Sequence, residues 1–571
     1  MPPIPLRYRI RGSIGSFFRW RLSRMRDAFL ARARHACRET QERTLQRLLE
    51  LNADSRFSAE HQLRPGMSVD EFRRRIPVSD YALVSPYIDQ MKTGNHRALL
   101  GSRNRLRMYA VTSGTTAESK LIPVTDRFVE DYRRGWQHWG VGAHLDHAKL
   151  RVLKMVQVAS SHRRFTTEDG TPCGNISGLV VAVQKKLVRW LYSVPSAVAH
   201  LTDPFVKRDA VVRFAISDPW VGILITANPS TLLQMADHAV ANAESLIRDI
   251  HDGTASRVDS AQDKRALQPW LKRNPQRARA LEEIVRLHGS LQLSACWPHL
   301  TCLGVWSGGS AGAYVPQLRQ TFGEIPVRDH GLHASEGRMT IPVDSNTPSG
   351  ILDIESHFFE FIPAEEADAV KPNVLGALEL QEGGEYLILL TTSSGLYRYN
   401  IQDVVRCTGF FGTTPMLEFR HKGAHISSIT GEKIAESQVV EAVRQACDDV
   451  QVRLETYTMT PRWGEPPGYT LFVSLPGSGQ RAPEGLAEAA DRLLRETNCE
   501  YGEKRETERL DALDIRVLPP ESWLRFTESR LGAAGGSPEQ YKHPCLLPDP
   551  EFEELFLRQC GLHGAKGGAR C

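Results

Sequence analysis

The sequence lacks the apolar runs and cysteine patterns that define several large classes of protein. In its 571 residues no apolar run approaches the roughly 18 residues that suggest a membrane-spanning helix. The ten cysteines are scattered, with no CxxC pair and no cysteine–histidine spacing typical of a metal site. They therefore predict the reduced thiols of a cytoplasmic protein, and not a disulfide framework.

The sequence also has little net charge. A formal net charge of +4 is too small to indicate binding to nucleic acid, and we find no internal repeat. The hydrophobic fraction of 41% and the charged fraction of 24% are ordinary for a soluble globular protein. A chain of this length is expected to form more than one domain and to bury a large core.

Acidic residues are absent before Asp27, although this stretch is rich in arginine and contains Phe17, Phe18 and Trp20. An interfacial helix or a transit peptide has this composition. A solvated basic helix that packs its aromatic rings on the domain fits better, because the arginines continue past Asp27 into a stretch of helical periodicity, about residues 16–51. Peripheral contact of this segment with a membrane remains the alternative.

The most informative stretch that is present runs from Met108 to Lys120. Its first four residues, up to Val111, are apolar and predict a buried strand. Hydroxyl residues packed around one glycine follow, at Thr112, Ser113, Gly114, Thr115 and Thr116. Hydroxyls and backbone N–H groups that converge in a tight turn can hold a phosphate, and a lysine adds positive charge. The spacing differs from that of the loop ending in Gly-Lys-Ser/Thr, and an ordinary Ser/Thr-rich turn is the alternative.

Strands that alternate with helices predict an α/β layer with a largely parallel sheet over the first 330 residues or so. A helix from Thr125 or Asp126 to Gly140 and a long helix ending near Gly253 are among its elements. From about Ile351 the pattern changes to short antiparallel strands. We predict them at Phe358–Ile362, Gly376–Leu380, Tyr386–Thr391, Val404–Thr408 and Met416–Phe419. The loop at about 423–431 is the best boundary before a smaller α/β unit.

Three further stretches carry candidate chemistry. Glu336 lies among small residues after a predicted strand, and beside a phosphate it would require a cation such as Mg²⁺. Asp403 follows Tyr397-Arg398 and could accept both ribose hydroxyls of a nucleotide. Lys433 and Lys542 could stabilise charge that develops on a phosphate. Each residue alone has a plainer interpretation: a helix cap, a turn aspartate or a surface lysine.

Taken in this order, the stretches resemble the Gretchen Hagen family of auxin-responsive acyl acid–amido synthetases, within the adenylate-forming superfamily of acyl-CoA synthetases and luciferases. The resemblance extends from about Gln41 to about Pro544. The matching motifs are Thr112-Ser-Gly-Thr-Thr with Lys120, Ala334-Ser-Glu336-Gly, Tyr397-Arg398 with Asp403-Val-Val, Glu432-Lys433, and Gln540-Tyr-Lys542. Two positions depart from the family pattern, because Glu118 and Gln402 stand where glycines are common.

The resemblance implies an α/β fold with two domains. Residues 1–426 would form an adenylating domain of α/β layers and a β subdomain with the acyl-substrate pocket, and residues 427–571 a smaller mobile domain. It also implies a ligase that uses ATP and Mg²⁺ to join a carboxylic acid to an amino acid through an acyl-adenylate. The implied ATP-binding residues are Ser113, Gly114, Thr115, Thr116, Lys120, Ser335, Asp403 and Lys433; the implied metal ligand is Glu336; the implied catalytic residues are Lys120, Glu336, Lys433 and Lys542.

Two other functions stay open. An acyl-CoA ligase would need the same adenylation residues, and a catalytically silent nucleotide-binding protein would fit a phosphate loop altered at Glu118. The identity of the acid does not follow from the sequence. Phe128, Tyr132 and Trp136 are candidates for lining the acyl pocket, but core packing is the preferred interpretation of all three.

Overall fold

A computed structural model describes most of the chain. The described residues are 4–112, 120–158, 163, 165–176, 178–179, 190–367, 369, 371–422, 426–427, 429–430, 432, 434–464, 466–476, 481–506, 508–534, 543–548 and 552–559. Within them the helices are α1 Leu6–Ile14, α2 Ser16–His35, α3 Cys37–Leu51, α4 Arg56–Glu60, α5 Val69–Arg75, α6 Tyr81–Lys92, α7 Asp126–Asp146, α8 Pro204–Ile216, α9 Pro229–Ala241, α10 Ala243–Asp252, α11 Ala261–Leu267, α12 Pro275–His288, α13 Leu293–Cys296, α14 Val315–Phe322, α15 Glu436–Asp449, α16 Leu486–Thr497, α17 Cys499–Glu506, α18 Pro520–Ala534 and α19 Phe552–Gln559.

The strands of the described residues form five sheets. They are β1 Leu106–Thr112, β2 Lys120–Thr125, β3 Lys154–Gln157, β4 Phe165–Thr166, β5 Pro172–Gly174, β6 Val221–Ile225, β7 Cys302–Val305, β8 Val327–Asp329, β9 Thr340–Ile341, β10 Gly350–Leu352, β11 Phe358–Pro363, β12 Leu375–Gly376, β13 Glu385–Thr391, β14 Tyr399–Phe411, β15 Thr414–Lys422, β16 Ile426–Ser427, β17 Ile434–Ala435, β18 Thr456–Arg462, β19 Gly468–Ser474 and β20 Asp514–Val517.

The predicted α/β layer is confirmed by a sheet in the order β3-β6-β7-β8 in which every pair of strands is parallel. All five residues of β6 are buried, as expected of a strand covered on both faces. The helix expected to end near Gly253 is two helices, α9 and α10, which meet at Asn242. Gly253 ends α10 in the left-handed conformation, with φ of 76°, which favours glycine at a helix end.

The N-terminal helices differ from the expected packing at one aromatic residue. The predicted helix over 16–51 is broken at Ala36 into α2 and α3. Trp20 is 53% exposed, and the Arg24 guanidinium lies 4.5 Å from its ring centroid. None of the described helices combines the length and the apolar character needed to cross a membrane. The described cysteines reported as free thiols include Cys37, Cys302 and Cys545.

The predicted antiparallel region is a seven-stranded sheet in the order β12-β11-β13-β14-β15-β10-β9. One strand within it was predicted wrongly. A strand was expected at Gly376–Leu380, but strand β12 covers only Leu375 and Gly376, and residues Ala377–Glu379 form a 3₁₀ turn. The Glu379 carboxylate accepts the Gly376 N–H at 2.6 Å and so begins the turn.

The C-terminal unit has its own core, which includes Ile434, Val439, Leu471 and Leu494. It is built on the sheet β18-β19-β20 and on the two-stranded sheet β16-β17. Its first helix, α15, begins at Glu436. The boundary at 426/427 stays a prediction, and residues 423–425 beside it lie outside the described part of the chain.

Candidate active site

The phosphate-loop stretch begins and ends on a β-hairpin. Strand β1 pairs antiparallel with β2, and Thr112 lies opposite Lys120. The apolar run before the loop is buried as predicted, at Met108, Tyr109 and Ala110. The predicted phosphate ligands Ser113, Gly114, Thr115 and Thr116, and also Glu118, lie outside the described residues. Lys120 is described, half-buried at the base of this hairpin.

Glu336 occupies the tip of a second hairpin turn, and it is not a helix cap. The backbone N–H of Ala334 donates to the Gly337 carbonyl at 2.8 Å, and the Gly337 N–H returns a bond to the Ala334 carbonyl at 3.3 Å. Ser335 and Glu336 therefore form the two-residue turn, and Glu336 is only 9% exposed. A glycine is required at 337, because a Cβ there would lie 2.5 Å from His357 Nε2.

No sequence motif pointed to Asp329, which holds the segment leading to Glu336. Its carboxylate accepts bonds from the Ser307 N–H at 2.5 Å, the Ser307 hydroxyl at 2.7 Å and the Gly331 N–H at 2.6 Å. Burial raises the pKa of Asp329 to about 6, although these hydrogen bonds act in the opposite direction. Asp329 joins the ends of β7 and β8 and so positions the backbone that continues to Glu336.

The donor set at this turn fits a magnesium ion shared with a nucleotide. Among the described residues no group of three or more His, Cys, Asp or Glu side chains converges on one point. A cage made of protein ligands alone is therefore not seen in the described part. Mg²⁺ commonly binds one or two carboxylates and takes its other oxygens from phosphate and water. One buried carboxylate at Glu336 meets that requirement when ATP supplies the phosphate oxygens.

Tyr397 and Arg398, the first part of the ribose motif, have structural roles. The Tyr397 ring stacks on Phe57 with centroids 5.3 Å apart. The Arg398 guanidinium bonds the Glu360 carboxylate at 2.9 Å and the carbonyls of Arg73 and Ile76 at 3.1 and 2.7 Å. These contacts occupy the guanidinium within the protein. Sequence reasoning placed Arg398 in the ribose motif without revealing that it holds the fold.

Asp403, the second part of the motif, lies at an irregularity of strand β14. The pairing of β13 with β14 shifts register between Leu387, opposite Val404, and Leu389, opposite Asn400. Gln402 lies in this bulge with a φ of 60° and is exposed. Asp403 follows it, is 7% exposed and lies opposite Lys422 of β15. The position where the family commonly has glycine thus has a backbone conformation that favours glycine.

Tyr399 of strand β14 links this strand with the hairpin turn at Ser335 and Glu336. The residue is 2% exposed, and its pKa is raised by burial and then by the charge of Glu336, with smaller contributions from Tyr81 and Asp80. Tyr81 in turn lies under the Lys120 ammonium, 5.6 Å from Nζ to the ring centroid. Lys120 is therefore in contact with Tyr81, and Tyr399 lies within the electrostatic reach of both Glu336 and Tyr81. Asp403 follows Tyr399 by four residues in the same strand, across the bulge at Gln402.

The two C-terminal lysines, Lys433 and Lys542, lie outside the described residues, but their neighbours do not. The Glu432 carboxylate accepts the N–H groups of Ile429 at 2.7 Å and Thr430 at 2.8 Å, and it also bonds the Tyr469 hydroxyl. On the other side, His543 Nε2 lies 2.8 Å from the Thr458 hydroxyl. Strands β18 and β19 of one sheet therefore hold the residues next to both lysines.

Helix α7, whose aromatic residues were candidates for lining the acyl pocket, contributes to the core. This agrees with the preferred interpretation of those residues. Phe128 and Tyr132 are 1% and 7% exposed and belong to the main apolar cluster. Trp136 is half-buried, and the buried Arg338 guanidinium lies 4.8 Å from its ring centroid. Arg127 and Arg134 pair with Asp131 of the same helix. Thr125 caps this helix, which continues past the predicted end at Gly140 to Asp146.

Comparison with known families and proteins covers nearly the whole chain. The GH3 family N-terminal domain matches residues 27–327, the GH3 family central domain 350–422 and the GH3 family C-terminal domain 437–551.

Among curated proteins, the chain is 25% identical to a probable indole-3-acetic acid-amido synthetase, GH3.12, of Oryza sativa subsp. japonica, over 91% of this chain and 93% of the relative. It is also 25% identical to jasmonoyl–L-amino acid synthetase JAR4 of Nicotiana attenuata, over 89% and 91%. Among solved structures, the GH3.15 acyl acid amido synthetase superposes with a TM-score of 0.81 at 20% identity and covers 95% of both chains. This last similarity shows a shared fold.

Proposed function

The chain belongs to the GH3 family and is accordingly an ATP-dependent acid–amino acid ligase, and we propose here how its residues divide the reaction. The observation that carries the assignment is the succession of three GH3 domains, which match in order between residues 27 and 551. Two curated relatives of almost the same extent are named as amido synthetases of indole-3-acetic acid and jasmonic acid. The substrate proposed for this chain is therefore a small carboxylic acid, together with an amino acid.

A carboxylate reacts poorly with an amine, because its carbon is a weak electrophile and its oxygen a poor leaving group. In the first half-reaction a carboxylate oxygen attacks the α-phosphorus of ATP, so that an acyl–O–P bond forms and pyrophosphate leaves. In the second half-reaction the amine nitrogen attacks the acyl carbon, and AMP leaves with that carboxylate oxygen. The negative charge that grows on the phosphates must be met by preorganised donors and cations.

The proposed residue roles follow the site geometry where the residues are described. Lys120 faces the phosphates together with the loop residues Ser113, Gly114, Thr115 and Thr116. Glu336, beside Ser335 on the turn, would hold Mg²⁺, which supplies positive charge to the triphosphate when bound. Asp403 accepts the ribose hydroxyls. The support for these roles is the contact of Lys120 with Tyr81 and the electrostatic interaction of Glu336 with Tyr399.

Lys433 and Lys542 are proposed to act from the C-terminal unit, residues 427–571, as it moves against residues 1–426. The described neighbours of both lysines are held by one sheet, so the two lysines would move together with that unit. Adenylation needs charge on the phosphates, whereas amide formation needs an open path for the amine. We expect Lys542→Ala to slow acyl-adenylate formation more than it slows amide formation from preformed acyl-adenylate, measured by rapid quench. Equal losses in both steps would contradict the movement.

The test of the proposed function is a pyrophosphate-release screen with purified protein, ATP and Mg²⁺. Aryl acids, including indole-3-acetic acid, and fatty-acid-derived acids such as jasmonic acid are each combined with every amino acid and, separately, with coenzyme A. We expect an amide product by mass spectrometry for at least one pair, and no thioester. Efficient thioester formation would instead identify an acyl-CoA ligase. ATP binding without pyrophosphate exchange for any acid would identify a silent nucleotide-binding protein.

A further inference from the structure

Tyr81 contacts Lys120, one of the residues proposed to bind ATP, although it belongs to none of the candidate motifs of the sequence. It is the first residue of α6, and its ring lies against Lys120, with Nζ 5.6 Å from the ring centroid. An ammonium within about 6 Å of an aromatic centroid is attracted by the negative face of the ring. The Lys120 side chain therefore has a defined resting place on the Tyr81 ring.

The hydroxyl of Tyr81 is attached to the strand that carries Lys120. It accepts the Leu121 N–H at 3.1 Å and donates to the Leu121 carbonyl at 3.4 Å. Strand β2 lies at the edge of its sheet, in the order β2-β1-β5-β4, and the hydroxyl takes the position that a further strand would occupy. Burial raises the pKa of Tyr81, so the hydroxyl stays protonated and can donate at neutral pH.

The backbone before Tyr81 is attached to the beginning of strand β14. The Ser79 N–H donates to the Arg398 carbonyl at 3.0 Å, the Asn400 N–H donates to the Ser79 carbonyl at 2.8 Å, and the Ser79 hydroxyl donates to the Tyr397 carbonyl at 2.7 Å. Asp80 then caps α6 by accepting the Ala82 N–H at 2.9 Å. Tyr81 is thus held on one side by its bonds to strand β2 and on the other side by the bonds of Ser79 to the start of strand β14.

We propose that Tyr81 is a positioning residue for Lys120, whose ammonium it holds by its ring in the place where the triphosphate of ATP binds. A free lysine side chain has many rotamers and loses that freedom when it binds a phosphate. A lysine that already rests on an aromatic face loses less of it, which strengthens ATP binding without any contact between Tyr81 and ATP. This inference rests on the proposed function, because it assigns Lys120 to the phosphates.

The test separates the ring from the hydroxyl. Tyr81→Phe keeps the ring and removes the bonds to Leu121, so we expect a lower melting temperature but an almost unchanged Kd for ATP, measured by calorimetry. Replacing that phenylalanine by its fully fluorinated analogue keeps the shape and removes the negative face of the ring. We expect the Kd for ATP to rise about two- to thirtyfold relative to Tyr81→Phe, the range of a cation–π contact. If the role of Tyr81 is purely structural, the two variants will have the same Kd for ATP, and that result would overturn the inference.

The same comparison is repeated with Lys120→Met, which keeps the stem and removes the charge. Fluorination at position 81 should then have no further effect on ATP binding, because the ring acts only through the ammonium. An equal effect of fluorination with and without the Lys120 charge would overturn the inference. Failure of the wild-type protein to bind ATP would overturn the proposed function and this inference together, whereas normal binding by the fluorinated variant would overturn the inference alone.

Discussion

The two ends of the ribose motif differ in what surrounds their polar groups. At the first end Arg398 is 5% exposed, and its guanidinium bonds Glu360, Arg73 and Ile76. At the second end, Gln402 is exposed at a bulge and precedes Asp403. Both Arg398 and Gln402 have a positive φ, of 49° and 60°. Residues of one sequence motif thus divide into Arg398, which holds the fold, and Asp403, which is proposed to bind the ribose.

The largest expected effect is at the first end. Arg398→Ala should lower the free energy of unfolding by about 3 kcal/mol, because it removes one of the two arginines that bond the buried Glu360 carboxylate and also the donor to the carbonyls of Arg73 and Ile76. Denaturant unfolding measures this loss. The matched control is Arg406→Ala on the same strand, where the arginine is exposed and the expected change is about 0.5 kcal/mol or less. Equal losses for the two variants would contradict a special role for Arg398.

At the second end the expected effect is on ATP and not on stability. Asp403→Asn keeps the size of the side chain and removes its charge, so the Kd for ATP should rise about 10- to 100-fold, as for loss of a hydrogen bond to a charged group. The melting temperature should stay close to that of the wild type. The control compares ATP with its deoxy analogue, which only the wild type should distinguish strongly. Equal discrimination by the variant would remove Asp403 from the ribose site.

The smallest expected effect separates backbone strain from side-chain bonding at Arg398 and Gln402, the two residues with a positive φ. Gln402→Gly removes a left-handed strain of about 1–2 kcal/mol, and glycine costs about 0.5–1 kcal/mol of unfolded-chain entropy. The net expected gain in unfolding free energy is therefore about 0.5–1 kcal/mol, with ATP binding unchanged or tighter. Arg398→Gly relieves the same kind of strain but should destabilise the protein, because the buried bonds are lost. A gain at both positions would show that strain alone controls this strand.

Local patterns predicted most of the elements. A helix was expected to begin at Thr125 or Asp126, and the Thr125 hydroxyl accepts the Phe128 N–H at 3.2 Å at the start of α7. The apolar run from Met108 to Val111 was likewise predicted to be a buried strand, and it lies in β1. The predictions failed where a side-chain hydrogen bond overrides the hydrophobic pattern. The Glu379 carboxylate, for example, accepts the Gly376 N–H and begins a turn where a strand was predicted. Such bonds cannot be inferred from hydrophobic periodicity.

The candidate site was predictable as a set of motifs, but its supporting residues were not. Lys120, Glu336 and Asp403 were found because the resemblance placed them in known motifs. Asp329 and Tyr81 were missed because their roles depend on contacts between residues distant in sequence, such as Tyr81 with Leu121, forty positions apart. The sequence of a motif also did not show that Arg398 is held by Glu360. Only the packing of separate elements distinguishes these roles.

The central claim is that the acid reacts through an acyl-adenylate, and an isotope measurement tests it most directly. Once the screen has identified an acid and an amino acid, the acid is supplied with heavy oxygen in its carboxylate, and the products are weighed by mass spectrometry. An acyl-adenylate route predicts one heavy oxygen in AMP, none in pyrophosphate, and one heavy oxygen kept in the amide. Heavy oxygen in inorganic phosphate, with ADP as the nucleotide product, would instead show an acyl-phosphate route and contradict the account.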